Sequence, residues 1–68
     1  MKYTVIIEKG KNSYGAYVPD LPGCVAAAKT EHEVVHLISE AIELHLEDIR
    51  HSGHRAPRPI AKAELVEV

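Results

Sequence analysis

One uninterrupted amphipathic run, from Thr30 to about Ser52, constrains this chain more than any other feature. Thr30 and Glu33 have the spacing of a capping box. In that motif the threonine hydroxyl accepts the Glu33 N–H and the Glu33 carboxylate accepts the Thr30 N–H. Glu31 and Glu33 suit the positive end of a helix dipole, and Gly53 suits the left-handed turn that ends a helix. At 1.5 Å per residue the predicted helix is roughly 33 Å long, enough to lie diagonally across a four-stranded sheet. A chain of 68 residues then holds one domain, residues 1–68. Its core is thin, because a domain this small buries only about 60% of the surface its unfolded chain exposes.

Placing helix residues ~100° apart gives an apolar arc of Val34, Val35, Leu37, Ile38, Ala41, Ile42, Leu44, Leu46 and Ile49. The arc spans roughly 200°, about twice what one sheet face needs. Leu37 and Leu44, or Val35 and Leu46, at its flanks are therefore expected to meet a second surface. Together with the thin core, this predicts a homo-oligomer, a dimer or tetramer. The opposite side carries His32, His36, Glu40, Glu43, Glu47 and Arg50.

The remaining segments read as strands. Lys2 to Lys9 is β-branched and aromatic, with Tyr3, Val5 and Ile7 on one face. Gly10 to Ser13 is a turn, and Tyr14 to Val18 completes a hairpin with Tyr14, Ala16 and Val18 on one face and Tyr17 on the other. Pro22-Gly23 suits the centre of a type II turn. Cys24 to Lys29 is a third strand, assigned by context because alanine has weak strand preference. After a linker punctuated by Pro57 and Pro59, Ile60 to Val68 reads as a fourth strand. The expected fold class is α+β with order β-β-β-α-β, an antiparallel sheet carrying one long helix on one face.

His32-Glu33-Val34-Val35-His36 matches H-E-x-x-H, the zinc-protease pattern in which two histidines one turn apart hold the metal and the glutamate activates water. Against an enzyme stand three facts. Glu33 is already engaged as the helix cap. A catalytic zinc needs a third protein ligand and an open position. A substrate cleft between subdomains cannot be built from so short a chain. The motif is therefore taken as a look-alike on a solvated helix face, with no catalytic residue, metal or cofactor expected. His45 falls inside the apolar arc and reads as a core residue rather than a ligand. The lone Cys24 closes no disulfide and fits a reducing cytosol. The apolar run after Lys2 is too short for a signal peptide or membrane span, so the expected location is the cytoplasm.

Tyr17-Val18-Pro19-Asp20-Leu21-Pro22-Gly23-Cys24, followed by Thr30 opening an acidic helix with Glu40-Ala41-Ile42 and Leu46-Glu47, resembles the HicB antitoxin family. The resemblance runs over about residues 3 to 68. It departs from the usual pattern at Ala28, where the family often has glycine, and at His32 and Val34, which stand in the T-x-E-E-A helix start. His32 is also what creates the H-E-x-x-H look-alike. The resemblance implies a partial RNase H-like sheet with one helix. It also implies a small HicA toxin as partner, an RNA-cleaving enzyme of double-stranded-RNA-binding-like fold whose active site the antitoxin covers. Many members carry a C-terminal DNA-binding domain; none follows Val68 here, which argues against direct DNA binding.

Charge fits such a partner. The net charge is −2, unlike the basic footprint of a nucleic-acid binder. Residues 31–50 hold six acids and one arginine, a balance of −5, while the remainder holds seven bases and four acids, +3. An RNA-cleaving site must attract phosphate, so an acidic helix is steered toward it. The candidate partner-binding residues are Tyr17, Pro19, Asp20, Leu21 and Pro22 around the loop, and Glu40, Glu43 and Glu47 on the helix. The competing expectation is a nucleic-acid-binding or orphan structural module of the same fold with no toxin partner. Tyr3 and Tyr14, turned toward the core, argue against stacking on bases.

Overall fold

The computed structural model describes residues 1–68. Three short strands, β1 (Ile6–Lys9), β2 (Tyr14–Tyr17) and β3 (Val25–Ala28), precede one helix, α1 (Glu31–His51). The strands form an antiparallel sheet in the order β1-β2-β3. The helix lies on one face, over β3 and β2. The architecture is α+β, as the sequence predicts, with both sheet edges unpaired.

The first strand is shorter than its β-branched sequence suggests. Ile6 pairs with Tyr17, so Val5 would next meet Val18. That would be a non-hydrogen-bonded pair, since Val18 N–H points to the other side and donates to the Cys24 carbonyl; the next bonded pair would be Thr4 with Pro19, which has no N–H to give. The ladder therefore ends there. The Val18 carbonyl accepts the Leu21 N–H. Cys24 N–H in turn donates to the Leu21 carbonyl across Pro22-Gly23, with Gly23 at φ +85°, which is the expected type II turn. The two consecutive turns direct Val18, Leu21 and Cys24 inward, and all three are buried.

Those residues join Ala16, Val34 and Ile38 to make the core. Tyr3, Val5, Tyr14, Ala26 and Ala28 pack around it from the sheet, and Ala41, Ile42, Leu46 and Ile49 from the helix. Thus Tyr14 and Ala16 share the covered face while Tyr17 lies on the other. The helix begins at its predicted cap, where Thr30 Oγ1 accepts the Glu33 N–H at 3.1 Å. The Glu33 carboxylate accepts the Thr30 hydroxyl rather than the Thr30 N–H, at 3.0 Å. At the other end Gly53 N–H donates to Arg50 and His54 N–H to Ile49, with Gly53 at φ +80°. This is the Schellman pattern of donor pairs.

The fourth strand expected over Ile60–Val68 is not formed. Residues 55–68 make no backbone–backbone hydrogen bond. Side chains hold this segment instead. The Tyr3 hydroxyl donates to the Pro57 carbonyl, the Thr4 hydroxyl donates to the Ala61 carbonyl at 2.8 Å, and the Asp20 carboxylate accepts the Ala61 N–H at 3.0 and 3.2 Å. Pro57 and Pro59 have no N–H to give a ladder, and Asp20 captures that of Ala61. Beyond Ala61 the chain leaves the sheet, and residues 62–68 are all exposed.

Candidate functional site

The H-E-x-x-H residues do not converge on a reaction centre. His32, Glu33 and His36 are exposed in the first turns of α1. Glu33 is held by Thr30, and His36 Nε2 lies 3.4 Å from Glu40 Oε1 one turn on, with both side chains well solvated. No group of three His, Cys, Asp or Glu side chains is placed to hold a metal ion. Cys24 is buried, and desolvation pushes its thiol above its ordinary pKa. A raised pKa disfavours the thiolate, the form in which a cysteine attacks.

What the molecule presents are surfaces, and the candidate partner-binding residues divide between them. Tyr17 lies on the sheet face that α1 leaves bare, and it is 40% exposed. Its ladder partners there are Ile6 and Val25, so one apolar row crosses all three strands. Directly opposed residues in a sheet share a face. Glu40, Glu43 and Glu47 are exposed on the side of α1 turned away from the sheet. The thickness of a helix, about 10 Å, therefore separates them from Tyr17. One flat partner cannot cover both sets.

Pro19 and Pro22 are exposed at the sheet end that lies between the two faces. Their neighbours in the motif have internal roles. Leu21 is fully buried, so its side chain touches the core and no partner. Asp20 is half-buried and spends both carboxylate oxygens on the Ala61 N–H. The loop is thus a rigid corner built by Leu21 and Asp20, with two prolines facing outward.

Two further surface features escape a reading of the loop and the helix acids. The first is the Ile6–Tyr17–Val25 row, which strand alternation puts outward and in which Tyr17 and Val25 are exposed while Ile6 is half-buried. The second is a groove between β3 and the C-terminal half of α1, lined by Gly23, Cys24, Val25, Ala41, Leu44, His45 and Asp48. Leu44 is 68% exposed and Leu37 is exposed beside it, so this helical flank is unpartnered. Leu46, at the other flank, is packed against the core. His45 sits on the inner arc, but it is only half-buried and lines this groove instead of joining the core as expected.

With the geometry in place, similarity to known proteins adds a family. Residues 3–67 match the family model described as HicB_like antitoxin of bacterial toxin-antitoxin system. A UPF0150 protein of Thermoplasma acidophilum, Ta0767, is 41% identical over 63 residues, covering 91% of each chain. A UPF0150 protein of Helicobacter pylori is 47% identical over 49 residues, covering 72% of this chain and 68% of its own length. The Synechocystis protein ssr1765, also UPF0150, is 37% identical over 65 residues, 94% of this chain and 77% of its own. No solved structure matches the chain.

Proposed function

Because the chain belongs to the HicB-like antitoxin family of bacterial toxin–antitoxin systems, we propose that it binds a small HicA-type RNA-cleaving toxin and neutralises it by covering the active site. The observation that carries this reading is the solvent face of α1. Glu40, Glu43 and Glu47 are exposed along it, on a segment with a balance of −5. A toxin that binds RNA must hold phosphate, and a basic cleft attracts such a face at long range. The Pro19–Pro22 corner, next to the same end of the molecule as Cys24, supplies a rigid apolar contact with little ordering cost.

In this role the chain is a binding protein and not an enzyme, and it acts in the cytoplasm beside its toxin. No helix is long and apolar enough to cross a membrane. The test is to titrate the protein into an RNA-cleavage reaction of a HicA-type toxin. Cleavage is expected to fall to zero at a fixed stoichiometry. Replacing Glu40, Glu43 and Glu47 together by lysine is expected to weaken inhibition at least tenfold. Undiminished cleavage in the presence of excess folded protein would refute the assignment, and tight binding to the RNA itself would favour a nucleic-acid-binding module.

A further inference from the structure

We infer that the groove between β3 and the C-terminal half of α1 anchors the basic toxin of the proposed function. Its occupant is an aliphatic or aromatic side chain of the toxin, seated against Leu44 and flanked by arginine or lysine. The inference rests on the antitoxin reading and adds a second contact to it: the helix acids attract the partner, and the groove holds it.

Leu44 is the centre of this surface. It is a large aliphatic side chain left 68% exposed in the middle of a helix. It lines the groove beside Gly23 and Ala41, and it also lines a second hollow with Glu47, Asp48 and His51 further along α1. The two hollows share Leu44 and Asp48, so they form one strip. Along the helix the strip follows Leu37, Ala41, Leu44, Asp48 and His51. Steps alternating between four and three residues keep side chains in line on one helix face. The strip is therefore apolar toward the start of α1 and polar toward its end. Gly23 borders it from the sheet side, and a Cβ there would meet nothing within 4 Å. The turn thus leaves room for an incoming side chain.

Charge selects the occupant. Glu47 and Asp48 line the strip, and no lysine or arginine does. A second copy seated face to face here would set the same acidic segment, with its balance of −5, against itself. Nucleic acid would bring phosphates. Like charge opposes both. A basic protein with an exposed apolar residue satisfies both halves of the strip: its apolar side chain meets Leu44, and its cations meet Glu47 and Asp48. Binding energy concentrates at such apolar anchors ringed by polar contacts. Glu47 belongs both to the strip and to the acidic solvent face of α1, so one partner can reach the two together.

Attraction and anchoring have different kinetic signatures. Charges at the rim of an interface act mainly on association, and buried contacts act on dissociation. The test is to measure both rates for a purified HicA-type toxin binding the parent, Leu44→Ser, Leu44→Met and the triple Glu40, Glu43 and Glu47 to lysine variant. Leu44 is solvated, so Leu44→Ser is expected to keep the far-UV circular dichroism of the parent. Its complex is expected to dissociate about tenfold faster, with the association rate unchanged. Leu44→Met keeps an apolar side chain and is expected to restore slow dissociation. The triple variant is expected to lose association rate instead. Parental dissociation from Leu44→Ser, with charge reversal still slowing association, would overturn this inference and leave the antitoxin reading standing. A parent protein that binds no toxin would overturn both.

Discussion

Gly23 takes φ +85° at the centre of the turn that directs Leu21 and Cys24 into the core. A Cβ there would meet nothing within 4 Å, so the cost of a side chain is purely conformational. Gly23→Ala is expected to destabilise the fold by about 1–2 kcal/mol, read as a shift in the urea midpoint. Gly23→Asn should cost less, since asparagine tolerates the left-handed region. Equal losses for the two would mean that crowding, and not φ, decides. Cys24 adds a pH dependence of known sign. Burial raises its folded pKa above the ordinary 9.0, so the folded state retains the proton more tightly than the unfolded chain. The resulting stability is complete below about pH 9 and declines as pH rises through the folded pKa. Thermal unfolding of the parent should therefore weaken above pH 9 more steeply than that of Cys24→Ala. Identical slopes would contradict the assignment.

The helix is the element that was most fully legible. Thr30 as cap, the arc around Ile38 and the glycine stop are all local signals, and the observed Glu31–His51 follows them. Thr30→Ala is expected to cost about 1 kcal/mol, measurable by denaturant titration. His32→Ala with His36→Ala should stay within about 0.5 kcal/mol of the parent, because both imidazoles are solvated. A large loss in the double variant would show that the H-E-x-x-H residues hold structure after all. The strands were legible in position and face but not in length. The β1–β2 ladder ends early because the register sets Pro19, which has no N–H, opposite Thr4, and only the pairing itself reveals that register. Ile60–Val68 was misread for a deeper reason. Apolar residues in extended chain state that a segment can pair, not that an edge is there to receive it, and here Asp20 and Thr4 claim the backbone groups of Ala61. Leu21 likewise looked like a contact residue in its motif; its full burial follows only from the paired turns on either side of it.

At the scale of the whole molecule, one helix on three strands divides the surface by chemistry. The acidic side of α1 faces one way and the Ile6–Tyr17–Val25 row the other, with the β1 edge of the sheet unpaired. Under the proposed function, a partner attracted by charge would meet the helix and leave the sheet's bare face free. The acidic and basic portions, −5 and +3, also make any toxin complex sensitive to ionic strength. Screening at 1 M salt shortens the reach of such charges to about 3 Å. The most direct measurement is a calorimetric titration of the chain against a purified HicA-type toxin, at low and at high salt. A saturable complex of fixed stoichiometry, weakened by salt and by charge reversal at Glu40, Glu43 and Glu47, is the predicted result. Absence of binding at low salt, with both proteins folded, would contradict it.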